Sequence, residues 1–280
     1  MRMRVNRMLQ QRLPRLHAVL KAATARWRNA AIPLLPAPAW IAGRFTWIHP
    51  RLFASQLATA TEPHIMRWVD QCLRPGDTFF DIGASCGLVS LRAARRVGPQ
   101  GRVVAFEPSP VMARFLQYHC RVNRLRNTTA VPQAVADTDR PADFFLLNGG
   151  LSSRNSLTIG ADNTPYVQPG EKLRIAVATT TLDRYTEQSG QTPDVIKIDV
   201  EGAELLVLKG ACGLLRKRRP ALIVGLHPYW LPAGQTPEHL FRLLDEYGYD
   251  VQESVTCGDP GCQTSDLLCV PRQLLPDHRQ

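Results

Sequence analysis

No acidic residue precedes Glu62, although ten lysines and arginines do. The net charge of +10 therefore belongs to the head of the chain, because the remaining 24 basic residues face 24 acids. A protein that grips nucleic acid gathers basic residues around its site, so the neutral body argues against that class. No apolar run reaches the roughly 18 residues that a membrane-spanning helix needs. The longest candidate, from Ala30 to Gly43, is interrupted by Pro33, Pro36 and Pro38. The seven cysteines are scattered, with no C-x-x-C pair and no histidine at zinc-finger spacing. That excludes a zinc finger and a dithiol redox motif, and free thiols in a reducing cytoplasm are the plain reading. Internal repeats are absent, and so is the G-x-G-x-x-G string of a dinucleotide site.

What is present is a β-α-β unit from Thr78 to Pro108. TFFDIGASCG opens it with an apolar strand, Thr78 to Ile82, that carries Asp81 and runs into Gly83, Ala84, Ser85 and Gly87. A helical segment, LVSLRAARRVG, and a GPQG turn follow, and a second strand, RVVAFEP, ends at Glu107. Small residues at the first turn let a ligand approach the backbone, and free N–H groups at the helix start face it. A carboxylate at the second strand tip can accept both hydroxyls of a ribose. Without the glycine pair that seats a pyrophosphate, S-adenosylmethionine (SAM) suits this unit better than a dinucleotide.

The rest of the chain extends that pattern. Apolar residues from Val5 to Trp27 recur at steps of three and four with basic residues between them, which predicts a basic amphipathic helix. Three readings of it stay open: contact with an anionic membrane surface, docking on the main domain, or a targeting presequence. Ile32 to Trp40 reads as a Pro-rich linker. Helices are predicted over Pro63 to Leu73, Val111 to Val122 (with Ser109 as N-cap) and Pro237 to Tyr247. Thr128 to Pro132 reads as a third strand, with Ala134 at the next strand tip. Asp137 to Gln191 breaks the alternation and reads as a β-rich insertion with a mobile loop over the substrate side. Alternation resumes with a strand from Val195 to Ile198, a helix from about Gly202 to Leu215, and a strand from Ala221 to Leu226 ending near His227. A hairpin of Tyr249 to Val255 and Asp266 to Val270 closes the chain. The whole predicts an α/β protein: residues 1–60 form a basic extension and linker, and 61–280 form one doubly wound, mostly parallel sheet of seven strands.

DIGASCG…VVAFEPSP together with IKIDVEGAELLVLKGA, and TLDRY upstream of it, resembles the FkbM family of SAM-dependent methyltransferases. The likeness runs from about Arg74 to Pro228. It implies a class I, Rossmann-like methyltransferase fold whose last strand is antiparallel. It also implies methylation of a hydroxyl on a sugar, glycolipid or secondary metabolite. By position, the resemblance implies that Asp81, Gly83, Ala84, Ser85 and Gly87 line the methionine end of SAM. Glu107 takes the ribose hydroxyls, and Ser109 and Ala134 flank the adenine. Two departures stand out. Ser85-Cys86 replaces an Asn-Ile-like pair, and Gly225 stands where the family often has a glutamate.

Methyl transfer from a sulfonium asks the enzyme mainly for alignment and exclusion of water. A hydroxyl acceptor also needs a base. His227, at a strand carboxyl end and near neutral in its ordinary pKa, is the expected base, with Asp199 and Glu201 as competitors. Lys197 shares a strand side with Asp199 and is expected to pair with it. A divalent ion on Asp199, Glu201 and Glu204 is an alternative suited to carboxylates, but no histidine accompanies them locally, so no metal is expected. A non-catalytic SAM-binding scaffold and a nucleotide-dependent oxidoreductase remain the other classes.

Overall fold

The structure, a computed structural model, describes residues 36–41, 44–49, 62–158, 172–258 and 263–272. They fall in two units, Met1–Thr61 and Glu62–Gln280. In the first, β1 (Ala37–Ile41) and β2 (Arg44–Ile48) form an antiparallel hairpin. The end of the expected linker is therefore a strand. Pro38 pairs with Trp47 there without penalty, because each strand of a two-stranded ribbon has an edge that needs no N–H donor. The amphipathic segment of Val5 to Trp27 lies outside the described residues, as does Cys262.

The second unit begins with α1 (Pro63–Cys72). Next come β3 (Thr78–Ile82), α2 (Leu88–Val97), β4 (Arg102–Phe106), α3 (Pro110–Val122) and β5 (Thr128–Val131). The β-rich insertion contains β6 (Ala134–Val135), β7 (Ala142–Leu147), β8 (Lys172–Val177) and β9 (Thr179–Thr180), leading to α4 (Leu182–Ser189). The alternation then runs β10 (Val195–Ile198), α5 (Glu204–Lys209), α6 (Cys212–Lys217), β11 (Ala221–Leu226), α7 (Pro237–Glu246), β12 (Tyr249–Cys257) and β13 (Thr264–Pro271).

Seven of these strands form one sheet in the order β12-β13-β11-β10-β3-β4-β5. β3, β4, β5, β10 and β11 pair in parallel, and β13 lies antiparallel to both of its neighbours. This is the class I methyltransferase, Rossmann-like fold. Both faces of the sheet are covered, so the central strands are apolar apart from Asp81 near the end of β3 and Lys197 in β10. Period-two alternation divides them: Phe79, Val103, Val195 and Ile223 pack with α1 and α2, while Phe80, Val104, Ile196 and Val224 pack with helices α4 to α7. The chain winds one way from β3 and the other way from β10. The crevice between their carboxyl ends is the topological switch point, where such sheets bind ligands.

The expected single helix from Gly202 to Leu215 is two, broken at Gly210–Ala211. The carboxylate of Asp183 accepts the N–H groups of Gly213 at 2.8 Å and Leu214 at 2.7 Å, supplying α6 with its own N-terminal cap. Asp183 belongs to the TLDRY string, whose other residues also build scaffold. Thr181 caps α4 through the Arg184 N–H, and Leu182 is fully buried. Tyr185 packs edge-on against Phe106 and Phe80, at centroid distances of 4.8 and 5.7 Å.

Candidate active site

At the switch point the first strand–helix turn crosses close to the end of β10. Gly83 has φ +77°, and a Cβ there would lie 2.0 Å from the Asp199 carbonyl oxygen, so only glycine lets the two strand ends approach. Ser85 adopts φ +50°, a left-handed conformation that a non-glycine residue holds at a cost of order 1 kcal/mol. Its N–H donates to Oε2 of Glu107 at 2.8 Å, and the Ser109 N–H donates to Oε1 at 2.7 Å. Burial pushes the Glu107 carboxyl up to about 7, against the pull of those two N–H groups.

A cleft opens beside this turn. Gly83, Ser85, Glu107, Ala134 and Asp199 line it together with the apolar Phe106, Met112, Val135, Phe144 and Leu157. Asp81, Ala84, Gly87 and Ser109 do not. Asp81 is fully buried inside the sheet, where it accepts the Ser90 hydroxyl at 2.5 Å and faces Lys197 at 3.4 Å. Gly87 starts α2, and Ser109 caps α3 while fixing Glu107. These residues shape the turn from behind. The described part of the insertion supplies the opposite wall through Phe144, Ser152, Ser153, Asn155 and Leu157. Asn155 ties that wall together, accepting from the Leu147 N–H and donating to the Gly150 carbonyl. Residues 159–171 of the expected loop lie outside the described residues.

Beyond Asp199 the backbone turns sharply, with φ +53° at Glu201. Ser156 and Thr158 of the insertion hold that turn by donating to the Glu201 carbonyl at 2.7 and 3.1 Å. The turn aims Asp199 and Glu201 at His227, which directly follows β11. His227 Nε2 stands 3.6 Å from Asp199 Oδ1 and 3.6 Å from Glu201 Oε2. On its other side Nδ1 meets Glu204 Oε1 at 2.8 Å, and the Gly202 N–H donates to the same oxygen at 3.0 Å. The three expected catalytic side chains therefore converge. Gly225 makes the room: a Cβ there would press on the His227 ring at 3.0 Å and on Asp199 at 3.3 Å.

Electrostatics set the protonation of this group. Burial disfavours the His227 imidazolium, yet Glu201, Glu204 and Asp199 together outweigh it and hold the ring well above its ordinary pKa. The expected near-neutral imidazole is thus shifted toward its charged form. Burial, against the pull of His227, pushes Glu201 up to about 7. Burial opposes ionisation of Asp199 as well, but Lys197 and His227 outweigh it and lower its pKa. Lys197 pairs with Asp199 at 3.1 Å. It too is buried at some cost, which Asp199 and Asp81 more than offset.

Two further residues belong here: Glu204, which the sequence marked only as a possible metal ligand, and Glu62, which it did not mark. Glu204 is wholly buried and orients His227. Glu62, ahead of α1, is pushed up to about 8 by burial and by the charges of Asp199 and Asp266. An E-G-A-E string on a strand tip was the available signal for Glu204. Glu62 had none.

Residues 81–251 match the model of the methyltransferase FkbM domain. The chain belongs to the FkbM methyltransferase family. It is 27% identical over 203 residues to the methyltransferase sdnD of Sordaria araneosa, covering 63% of this chain and 75% of that protein. With the hexuronic acid methyltransferase AglP of Haloferax volcanii it shares 27% over 193 residues, or 66% and 68% of the two chains. A ribosomal protein L11 methyltransferase of Cupriavidus necator is 26% identical over 123 residues, 44% of this chain and 38% of that one. Among solved structures, the chain is similar to an FkbM methyltransferase from Methylobacillus flagellatus. The TM-score is 0.45 and the identity 15%, with 75% and 52% of the chains covered.

This FkbM-family protein is a SAM-dependent methyltransferase, and its cleft fits SAM. Glu107 is held at the tip of β4, lining the cleft, with each oxygen accepting a backbone N–H and lone pairs left over for a ligand's hydroxyls. The Ser85 hydroxyl is buried with no hydrogen-bond partner among the described residues. An orphaned polar atom in a ligand cleft is a contact waiting for a ligand. Met112, Phe144 and Leu157 offer apolar walls for an adenine. No helix among the described residues is long and apolar enough to cross a membrane.

Proposed function

We propose that this methyltransferase acts on a hydroxyl oxygen of a small molecule, sugar or glycolipid. The observation that carries the reading is the convergence of Asp199, Glu201 and His227 at the cleft, with Asp199 lining it. A hydroxyl is a weak nucleophile until its proton is drawn away, and a cluster of three titratable groups, a buried histidine and two half-buried carboxylates, is suited to take it. The name of the relative AglP, a hexuronic acid methyltransferase, supports a sugar acceptor.

In this reading Glu107 accepts the ribose hydroxyls, Gly83 and Ser85 face the methionine end, and Ala134 borders the adenine. Asp81, Ala84, Gly87 and Ser109 act through the turn that they build. When bound, SAM supplies an electrophilic methyl group. The chain's residues align the acceptor, exclude water with the wall of residues 144–157, and take up the hydroxyl proton. Because three carboxylates favour the protonated imidazole, the proton is received by the Asp199–His227–Glu201 cluster as a unit.

Nucleic acid is not the acceptor in this proposal, since the chain from residue 62 onward is balanced in charge. The basic extension, residues 1–60, is assigned to contact with an anionic membrane surface, and 61–280 to catalysis in the cytoplasm. The test is incubation of the full chain with methyl-labelled SAM and a panel of hexuronic acids, hexoses, glycolipids, RNA and basic protein. Alkali-stable label on a sugar or glycolipid supports an ether product. Label confined to RNA or protein would overturn the proposal.

A further inference from the structure

We infer that Asp199, Glu201 and His227 form a binding site for one divalent transition-metal cation. The inference rests on the proposed acceptor site and deepens it. Three donor atoms, from the ends of β10 and β11, all lie within 4.8 Å of one another. His227 Nε2 is 3.6 Å from each carboxylate, too far for a hydrogen bond, although the residue is only 8% exposed. Donors on one ion at about 2.1 Å are roughly 3.0 to 3.4 Å apart, so each histidine–carboxylate distance needs to close by only a few tenths of an ångström, and the two carboxylates stand within 4.8 Å of each other.

The surroundings match a metal site in a second, independent way. A ligating histidine characteristically gives its other ring N–H to a carboxylate, which fixes the tautomer and directs the free nitrogen at the ion. Glu204 does this at 2.8 Å, and it is itself anchored by the Gly202 N–H. The second oxygen of Glu204 is buried without a hydrogen-bond partner among the described residues. The turn that presents Glu201 is held in a strained conformation by Ser156 and Thr158.

Charge counts toward the same conclusion. Among the described residues, the four carboxylates Asp81, Asp199, Glu201 and Glu204 stand against Lys197 and His227, with Arg154 acting on Glu201 as well, so a cation offsets a surplus of negative charge. One imidazole with two carboxylates favours Mn²⁺, Co²⁺ or Zn²⁺ over Ca²⁺, which takes oxygen ligands alone. The histidine that the local sequence lacked comes from the neighbouring strand. Since Asp199 lines the cleft, a remaining coordination position faces the acceptor. A hydroxyl bound there becomes more acidic: with the cluster occupied by the ion, its proton passes to water rather than to the cluster, its oxygen forms the new bond to the methyl carbon, and the carbon–sulfur bond of SAM breaks.

The test uses the full chain stripped by a chelator and titrated with Co²⁺, read by visible absorption, and with Mn²⁺ and Zn²⁺, read by calorimetry. Each sample is then titrated with S-adenosylhomocysteine. The expected result is one ion per chain, with affinity reduced at least tenfold by Glu201→Gln or His227→Ala and about 10- to 100-fold by Glu204→Gln. Glu201→Gln preserves shape, so continued binding of S-adenosylhomocysteine shows that the variant is folded. If the wild type binds S-adenosylhomocysteine but no ion, or binds an ion equally well in the Glu201 and His227 variants, the metal site is overturned and the methyltransferase reading stands. An ion bound by a chain that never takes S-adenosylhomocysteine would strike the reading itself.

Discussion

His227 and Glu204 share a hydrogen bond of 2.8 Å between Nδ1 and Oε1, and that contact decides which ring nitrogen faces the cleft. Glu204 lies 23 residues away in sequence, on a helix whose first turn follows the strained Glu201. Replacing it with alanine leaves the imidazole N–H buried without an acceptor. The expected cost is about 1–3 kcal/mol of stability in denaturant unfolding, with a fall in turnover. Glu204→Gln keeps an acceptor in place and should recover most of the stability. Equal losses in the two variants would show that the carboxylate does not act by orienting His227.

Glu107 offers a pH signature. Its carboxyl is pushed up to about 7 by burial, and only the ionised form has both oxygens available as acceptors for a ribose. SAM affinity should therefore be constant well above pH 7 and weaken below it. The limiting slope is about tenfold per unit, because binding must then expel a proton. Calorimetry across that range reads the slope directly. Glu107→Gln should bind more weakly and without this dependence; a wild-type slope retained in the variant would assign it to another group.

Asp183 concerns the frame rather than the chemistry. Its carboxylate caps α6 through Gly213 and Leu214. Asp183→Ala should lower unfolding free energy by about 1 kcal/mol, the usual worth of a cap, and leave SAM affinity unchanged. A large loss of SAM binding without destabilisation would give this residue a role in the site.

The basic head predicts salt-sensitive contact with membranes. Ten basic residues and no acids before Glu62 should carry the full chain onto anionic vesicles in sedimentation, with release at high salt and no binding to neutral vesicles. Equal sedimentation with both vesicle types would contradict an electrostatic contact.

The strands and most helices of the body were legible because a doubly covered parallel sheet needs largely apolar runs, as at Phe79-Phe80 or in Val195–Ile198, where Lys197 alone interrupts. The turn glycine and Glu107 were legible because each answers a local requirement. What escaped the sequence depends on residues far apart. The break between α5 and α6 is made by Asp183, some 30 residues upstream. Asp81, Ala84, Gly87 and Ser109, expected at SAM, do not line the cleft, because position in a motif does not say which residues face a ligand. His227 was legible as a strand-end histidine, but its shifted protonation was not, since that comes from Glu201 and Glu204 folded against it. The prolines of residues 32–40 suggested a linker, yet a two-stranded ribbon tolerates Pro38.

The most direct test is calorimetric titration of the full chain with SAM and, in parallel, with NADH, for the wild type and for Glu107→Ala. One SAM per chain, no NADH, and a sharp loss of SAM affinity in the variant are the predicted results. SAM binding that is indifferent to Glu107 would contradict the placement of the ribose on which the whole site is built.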